Sequence, residues 1–289
     1  MNYRHHFHAG NFADVVKHGL LVQLVRALQK KEKGFLYLDT HAGRGGYDLE
    51  LAAQGDSLAR KPEWPDGIGR LWDLNEPASV LAEYLSLVRA FDRGEGNLAN
   101  EPRFYPGSPW LARAMMRPQD RLALCEKQPA ECAALRQKFQ ASERTSVQET
   151  DGYAALRALL PPPERRALVL IDPPFEAQDE FAQIATALGE ALRRFPSGVY
   201  AIWYPLTERA KVDAFFDEIV ALKPPAVLAT ELMIAGENAA MKMKGCGLAI
   251  VNPPWQFASV AESTLAFLAG PLAQAPGGGQ RVSWIVPEK

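Results

Sequence analysis

The stretch FLYLDTHAGRGG, residues 35–46, runs from an apolar segment directly into a glycine-rich turn. Its first four residues have the aromatic and aliphatic composition of a buried strand. The glycines at 43, 45 and 46 allow a tight turn in which the backbone comes close to a ligand. Because open α/β sheets bind ligands at the carboxyl ends of their strands, this stretch predicts a Rossmann-like α/β fold with a ligand site at the turn.

Strands and helices alternate along the rest of the chain. Near-continuous apolar strands separated by helices are typical of a largely parallel sheet covered on both faces. The predicted strands are residues 35–40, 121–127, 145–151, 167–172, 198–205, 226–234 and 248–251. The predicted helices are residues 12–28, 153–160, 179–195 and 208–220, with another that begins near Ser108. We therefore expect a mixed seven-stranded sheet.

Two irregularities interrupt this alternation. About 80 residues separate Thr40 from Arg121, whereas a βαβ unit needs roughly 30, so an inserted helical subdomain is predicted at 48–105. The Rossmann-like domain would then consist of residues 1–47 and 106–289. Near the end of the chain no crossover helix separates the last two predicted strands, which indicates that they pair antiparallel.

The composition excludes several classes of protein. Of the 289 residues 47% are hydrophobic and 23% are charged, so the chain can bury a large core. A net charge of −2 argues against coating of nucleic acid by a broad basic face but allows a local basic groove. Three cysteines without a CxxC pair indicate neither a zinc site nor a disulfide scaffold. Because neither a signal peptide nor an apolar run of about 18 residues is present, we expect a cytoplasmic protein that does not span a membrane.

The glycine turn discriminates between two nucleotide cofactors. A dinucleotide GxGxxG pattern that starts at Gly43 would need glycine at position 48, where the chain has Asp48. The arrangement of Asp39, Gly43 and Gly45 is instead similar to motif I of S-adenosylmethionine (SAM) methyltransferases. Alone this motif is weak, because a glycine turn after a strand is common.

Acidic residues follow the next two predicted strands in register with the turn. Glu126, near the end of the second strand, could accept hydrogen bonds from both ribose hydroxyls. Asp151 and Gly152, at the end of the third, could bind an adenine ring through a carboxylate and a backbone amide. Each acid alone is more often a solvated strand end than a ligand, but together with the turn they predict SAM as the methyl donor.

Two segments have the Asp/Asn-Pro-Pro-aromatic pattern that amino-methylating enzymes wrap around a planar NH2 group. They are LIDPPFE, residues 170–176, and IVNPPWQ, residues 250–256. The first leaves the fourth parallel strand, beside the expected methyl donor. The second ends an antiparallel strand, whose carboxyl end points to the opposite rim. We therefore predict that the first copy carries the chemistry and that the second is a rigid strand exit with a buried tryptophan.

The first copy suits an exocyclic adenine amine, which is a poor nucleophile because its lone pair is delocalised into the ring. Hydrogen bonds from the two N–H groups to the Asp172 carboxylate and the Pro173 carbonyl favour charge developing on the nitrogen, and Phe175 can stack on the base. These effects are orientation and electrostatic preorganisation, and no metal is required. The base must be unpaired or flipped to enter.

Several segments together resemble one bacterial family nearly end to end. They are YRHHFHAGNFADVVKHGLL (3–21), FLYLDTHAG (35–43), YPGSP (105–109), LIDPPF (170–175), WYP (203–205), NPPW (252–255) and SWIVPE (283–288). On these segments the chain resembles the 23S rRNA adenine-N6 methyltransferases called the ribosomal large subunit methyltransferase J family. The first segment is highly specific, whereas DPPF is shared by many amino methyltransferases.

The resemblance implies a Rossmann-like fold with a helical insertion and 23S rRNA as the partner, methylated at N6 of adenine 2030. It assigns SAM contacts to His18, His41, Ser108, Glu126, Asp151, Gly152 and Asp172, the last also contacting the target amine. Tyr3 matches a position implicated in substrate contact. One departure is Arg44, where the family often has a small residue, and it leaves the fine geometry of the turn open.

Some polar residues have an ordinary interpretation beside the functional one. His5, His6 and His8 lack a cysteine or carboxylate at ligand spacing, so they predict an N-terminal lid rather than a metal site. Ser108 could cap the helix that begins at Pro109 and also meet the carboxylate of a methionine. Among scattered basic residues, the two lysines of the loop 235–245 are the best candidates for RNA contact.

Other functions stay open at this point. The Asp/Asn-Pro-Pro-aromatic pocket also accommodates DNA adenine and protein glutamine, although aspartate at its first position disfavours glutamine and no DNA-reading module is visible. An RNA-binding protein without chemistry would be expected to lack the aspartate or the prolines, which are intact. We expect a monomer, because no segment is typical of a dedicated dimer element.

Overall fold

The computed structural model of the chain describes residues 7–53, 61–74, 80–140 and 142–288. Within them a large mixed sheet lies between two layers of helices, with a two-stranded ribbon beside it. The helices are α1 Phe12–Gln29, α2 Leu49–Ala53, α3 Ala82–Gly94, α4 Ser108–Met115, α5 Pro129–Lys138, α6 Gly152–Leu159, α7 Glu180–Arg194, α8 Arg209–Ala221 and α9 Phe257–Ala269. The strands are β1 Leu36–Asp39, β2 Gly46–Asp48, β3 Phe104–Pro106, β4 Arg121–Glu126, β5 Thr145–Glu149, β6 Ala167–Ile171, β7 Val199–Leu206, β8 Val227–Met233, β9 Gly245–Val251 and β10 Gly279–Val286. None of these helices is both long and apolar enough to cross a bilayer.

The order of the strands in the large sheet places the ligand crevice. The eight described strands are hydrogen-bonded in the order β10-β8-β9-β7-β6-β1-β4-β5. Strands β5, β4, β1, β6 and β7 are parallel, whereas β9 runs antiparallel to both of its neighbours. The chain therefore leaves β1 towards β4 and β5 and returns on the other side of β1 as β6. Doubly wound sheets bind ligands at the point where the strand order reverses in this way.

The Rossmann-like fold class, the seven predicted strands and the antiparallel pair, which is β8 and β9, are confirmed. The strand count is corrected from seven to eight, because β10 pairs antiparallel with β8 at the sheet edge. No residue of β10 is fully buried, so the segment lacks the continuous apolar pattern that predicts the central strands. Helices α5 and α9 are also additional to the predicted elements.

Alternation along the strands divides the core into two layers. Leu168 and Leu170 of β6 belong to the hydrophobic cluster that contains α1, whereas Val169 and Ile171 belong to the cluster formed with α7 and α8. This is the period of two expected of a strand that is covered on both faces. Helix α1 is buried on nearly every side, against the sheet and against α3, α4 and α9. Polar side chains of α1 must therefore find partners inside the protein.

A short two-stranded ribbon joins the two ends of the insertion. Strands β2 and β3 pair antiparallel, with Gly46 opposite Pro106, and α2, two 3-10 turns and α3 lie between them. The buried side chains of α3, such as Tyr84 and Leu85, belong to the same hydrophobic cluster as α1. The division into a domain of residues 1–47 and 106–289 and a subdomain of residues 48–105 stays a prediction.

Candidate active site

The carboxyl ends of β1, β4, β5 and β6 meet at one rim of the sheet, and the start of α1 lies against the same rim. The glycine turn after β1, Glu126, Asp151 and the DPPF segment are therefore neighbours, although they are far apart in sequence. We call this edge the catalytic rim and the edge at the amino ends of the same strands the opposite rim.

The glycine turn is held against the end of β4. The Gly43 amide donates to Glu126 Oε2 at 2.8 Å. Gly43 has φ 59°, and a Cβ there would lie 2.5 Å from the Tyr47 hydroxyl oxygen; Gly45 has φ 81°, and a Cβ there would lie 2.6 Å from the Phe139 ring. Both positions thus favour glycine for conformation, and at Gly45 the Phe139 ring also leaves no space for a Cβ. The Arg44 side chain pairs with Glu131 of α5 at 2.5 Å, so the departure at this position is accommodated by an ion pair with α5.

Glu126 presents a carboxylate beside the turn. In addition to the Gly43 amide, it accepts a hydrogen bond from the Gln128 amide through Oε1 at 2.7 Å. Burial raises the pKa of Glu126 despite these two amides. Because each oxygen has further acceptor capacity, the geometry is compatible with the predicted contact to ribose hydroxyls.

Asp151 caps the helix that follows β5. Its Oδ1 accepts hydrogen bonds from the amides of Tyr153 and Ala154, and its Oδ2 lies 3.0 Å from Lys127 Nζ. Burial alone would raise the pKa of Asp151, but the hydrogen bonds from Lys127 and the helix amides outweigh it and lower the pKa. The next residue, Gly152, comes so close to β1 that a Cβ would lie 2.2 Å from the Thr40 carbonyl oxygen.

His41 lies at the start of the turn, two residues after Asp39. Its ring is edge-on to Tyr153, with centroids 5.4 Å apart, and its Nδ1 is 2.8 Å from Thr40 Oγ1. Burial lowers the pKa of His41 to about 4, against the opposing effect of Asp172 and Asp151. His41 is therefore neutral at neutral pH and offers an uncharged ring at the catalytic rim.

Asp39 is a buried carboxylate below the turn. Its Oδ2 accepts hydrogen bonds from the Tyr37 hydroxyl at 2.9 Å and from Ser108 Oγ at 2.7 Å. Burial raises the pKa of Asp39 to about 6, and the charge of Asp172 adds to this effect. The prediction that Ser108 is a helix cap is wrong, because Gly107 is the N-cap of α4 and Ser108 is its first residue. The buried Asp39 oxygen needs a donor, and the Ser108 hydroxyl supplies it.

Asp172 is tied to α1 by a buried lysine. Lys17 Nζ lies 2.5 Å from Asp172 Oδ2 and 2.8 Å from an oxygen of Asp14, one turn earlier on the same helix. Burial would lower the pKa of Lys17, but the charges of Asp14 and Asp172 outweigh burial and raise it. Lys17 is therefore charged and fixes one oxygen of the Asp172 carboxylate, which leaves the other oxygen for a ligand.

The remaining residues of DPPF are set in an aromatic cluster. Pro173 is buried, and Phe175 has φ 49°, a left-handed conformation that turns the chain sharply after the prolines. The Phe175 ring contacts Phe181 and Trp203 edge-on, with centroids 5.0 and 5.6 Å away. Phe175 remains partly exposed, and its stacking on a base stays a prediction.

His18 is buried behind the catalytic rim rather than exposed at it. His18 is 2% exposed, its Nδ1 lies 2.9 Å from the Tyr105 hydroxyl, and that hydroxyl is 2.8 Å from the one of Tyr84. This network joins α1 to the insertion. Tyr3, His5, His6 and most of the predicted N-terminal lid lie outside the described residues; His8 pairs with Glu63 at 3.0 Å.

The second Pro-Pro segment lies where the strand direction predicts. Asn252 Nδ2 donates to the carbonyls of Pro196 and Gly198, just before β7, at 2.7 and 2.8 Å. This segment is therefore at the opposite rim. The prediction of a buried tryptophan is wrong, since Trp255 is 76% exposed. Asn252 and Gln256 both have positive φ values, and the turn between them directs the indole outward.

Two residues of the site, Lys17 and Asp39, carry roles that the sequence did not assign. The spacing of Asp14 and Lys17 indicates an ion pair on a helix surface. No pattern in the neighbouring sequence indicates that the pair is buried, or that Lys17 reaches Asp172, which is 155 positions further along the chain. In the sequence, Asp39 is recognisable only as part of the turn motif. Across the described residues, no group of three or more histidine, cysteine or acidic side chains is arranged to hold a metal ion.

Comparisons with known proteins show the family of the chain. A family model described as "Ribosomal RNA large subunit methyltransferase D, RlmJ" matches residues 32–286. Two curated proteins, both called ribosomal RNA large subunit methyltransferase J, are 38% identical (Escherichia coli K12) and 37% identical (Haemophilus influenzae) over 288 residues, covering 100% of each chain. A crystal structure of a Legionella pneumophila protein has a TM-score of 0.83 and 35% identity, and the match covers 96% of this chain and 98% of that one.

Proposed function

Because this chain belongs to the ribosomal RNA large subunit methyltransferase J family, it is a SAM-dependent rRNA methyltransferase, and we propose that Asp172 orients the adenine N6 amine that it methylates in 23S rRNA. The observation that carries the proposal is the position of Asp172. It lies at the carboxyl end of β6, beside the glycine turn of β1, with one oxygen held by buried Lys17.

The residues of the catalytic rim fit SAM. When bound, SAM supplies an electrophilic methyl group on a sulfonium. On the protein side, Glu126 is positioned to accept the ribose hydroxyls, and Asp151 with the Gly152 amide is positioned for the adenine end. The neutral His41 ring lies between that end and Asp172. The start of α4 at Ser108 offers backbone amides, which favour a carboxylate, and His18 completes the predicted set of contacts.

The target amine is oriented by Asp172 and the segment after it. Lys17 occupies Asp172 Oδ2, so the other carboxylate oxygen accepts one N–H of the amine, and the Pro173 carbonyl accepts the second. Both acceptors stabilise the positive charge that develops on nitrogen as it attacks the methyl group, and they are already in place before the reaction. The exposed part of the Phe175 ring stacks on the base, and Tyr3 contacts the substrate.

The direct test is transfer of a labelled methyl group from SAM to protein-free 23S rRNA, total tRNA and duplex DNA in parallel, followed by mass spectrometry of the nucleosides. We expect N6-methyladenosine in 23S rRNA and no label in tRNA or DNA. Label in DNA alone, or in a nucleoside other than adenosine, would contradict the proposal. Mapping of the labelled fragment then tests adenine 2030 as the position.

The substitution Asp172→Asn tests the role of the carboxylate charge. The substitution keeps the size of the side chain and one acceptor oxygen but removes the charge that faces the developing cation. We expect the methyl-transfer rate to fall about 100-fold, the order of magnitude of losing one preorganised electrostatic contact. Circular dichroism and urea unfolding of the variant serve as the control for folding. A variant that transfers methyl groups at the parent rate would exclude the proposed role of Asp172.

We also propose that the protein acts as a monomer in the cytoplasm, where a ribosomal RNA substrate is available. Light scattering during size-exclusion chromatography, with and without an RNA fragment, would test the monomer. A mass of two chains would contradict it.

A further inference from the structure

The loop between β8 and β9, residues 234–244, lies at the catalytic rim. It is closed by the Ile234 amide, which donates to the Lys244 carbonyl at 2.8 Å, and it is attached to the end of β7 by the Lys244 amide, which donates to the Leu206 carbonyl at 3.1 Å. Two residues further on, the Cys246 thiol lies within electrostatic range of Lys17 and Asp172. The loop therefore borders the place where the target base must enter.

The last four residues of this loop have a fixed orientation. In the sequence Met241, Lys242, Met243, Lys244, the two methionines pack against the main hydrophobic cluster. The two lysines alternate with these methionines along the loop. Lys242 is exposed and Lys244 is partly exposed. The packed methionines thus hold the segment that bears the two lysines at the rim.

Most other cations around the catalytic rim are already neutralised or engaged. Lys17 pairs with Asp14 and Asp172, Lys127 with Asp151, Arg209 with Glu231 and Asp213, Arg44 with Glu131, and Arg70 with Asp66. The side chains of Lys242 and Lys244 have no ion-pair or hydrogen-bond partner among the residues that the structure describes. The one acid of the loop, Glu237, lies at its other end and is exposed.

We propose that Lys242 and Lys244 bind the RNA phosphates that flank the target adenosine. The proposal deepens the rRNA methyltransferase function and rests on it. When a base is flipped into a pocket, its backbone remains at the mouth, and phosphates are the groups that lysine binds as a point charge. Such contacts set register and orientation without reading sequence. A net charge of −2 argues against a broad basic face, so a local pair of cations beside the pocket is the simpler way to hold the backbone.

The test compares two double variants of the full-length protein. Lys242→Gln with Lys244→Gln removes the loop charges. The matched control, Lys31→Gln with Lys33→Gln, removes two exposed lysines with the same spacing just before β1, at the opposite rim. The measurements are the KM for a 23S rRNA fragment, the kcat, the affinity for SAM, and RNA binding by fluorescence anisotropy at several salt concentrations.

For the loop variant we expect RNA affinity to fall about tenfold and the slope of log affinity against log salt to decrease by about 2, one for each phosphate contact. SAM affinity should not change. The control should keep the parent RNA affinity. The proposal is overturned if the loop variant binds RNA like the parent, or if the control loses as much affinity. A parent protein that binds RNA but does not methylate it would count against the proposed function, while the anisotropy series still decides the role of the lysines.

Discussion

Lys17 shows how one residue determines the state of a site. Its ammonium group is enclosed, and it is shared by two carboxylates from different parts of the chain, Asp14 and Asp172. Removing one member of such a buried set leaves an uncompensated charge, which costs far more than an exposed ion pair contributes. Lys17 therefore couples the position of Asp172 to the packing of α1 against the sheet.

Asp39 gives the protein a specific dependence on pH. Burial raises its pKa from 3.8 to about 6, so the folded protein retains a proton that the unfolded chain releases near pH 4. The contribution of Asp39 to the free energy of unfolding is fully present below pH 4. It falls by about 3 kcal/mol in total as the pH rises through 6. Asp39→Asn keeps an acceptor for Tyr37 and Ser108 but does not titrate. We expect the parent to lose about 3 kcal/mol relative to this variant between pH 4 and pH 7.

The measurement is urea unfolding of both proteins at pH 4, 5, 6 and 7. Taking the difference in the free energy of unfolding between parent and variant removes the contributions of other groups. His41 is one of these groups. Its pKa is lowered, so its contribution to stability is lost as the pH falls from 6.5 to about 4, in the direction opposite to that of Asp39. If the two stability curves run parallel over this range, Asp39 does not titrate as its burial implies.

At the scale of elements, the site is built from the junctions between strands and helices. Helix α6 begins where Gly152 touches the backbone after β1, and the turn after β1 is held by the end of β4. Helix α1 crosses the rim and fixes the segment after β6. Each contact joins two elements by backbone or buried charge, so the ligand crevice is preorganised rather than assembled from exposed loops.

Gly152→Ala is expected to disturb one of these junctions. The added Cβ would lie 2.2 Å from the Thr40 carbonyl oxygen, so α6 must shift away from β1. We expect a loss of about 2 kcal/mol in the free energy of unfolding and about tenfold weaker SAM binding, measured by urea titration and calorimetry. Gly94→Ala is the control, because a Cβ at the end of α3 meets nothing within 4 Å; it should leave stability unchanged or raise it by up to about 1 kcal/mol. Equal effects of the two substitutions would contradict this account.

At the scale of the whole molecule, strand direction separates two segments of nearly the same sequence. Asp172–Phe175 follows a parallel strand and lies at the catalytic rim, whereas Asn252–Trp255 follows an antiparallel strand and lies at the opposite rim. The difference in function that we propose for the two copies therefore follows from topology rather than composition.

The aromatic residues of the two copies provide the corresponding pair of variants. Phe175→Ala should raise the KM for RNA and lower the rate of methyl transfer about tenfold, because stacking of one base contributes about 1–3 kcal/mol. Trp255→Ala removes a side chain that is 76% exposed and should change neither activity nor stability by more than about 0.5 kcal/mol. Steady-state kinetics of both variants on the same RNA fragment make the comparison. Loss of activity in Trp255→Ala would instead indicate that RNA contacts both rims.

Local patterns in the sequence are sufficient for much of this description. Apolar runs and glycine turns predict seven strands of the sheet, the insertion after β1 and the antiparallel pair. They do so because a buried strand requires apolar residues and a tight turn requires glycine at neighbouring positions. The same reasoning identifies Asp172, Glu126, Asp151 and the glycine turn, since each follows directly from a strand end.

Other features depend on contacts between distant parts of the chain, and only the folded structure reveals them. Strand β10 exists because β8 has a free edge, Ser108 donates to Asp39 because a buried carboxylate requires a donor, and Trp255 is exposed because two left-handed residues turn the chain outward. Lys17 looks like a surface residue in sequence and becomes the partner of Asp172 only when α1 is enclosed. Burial sets the energy of a charge, and burial is a property of the tertiary structure.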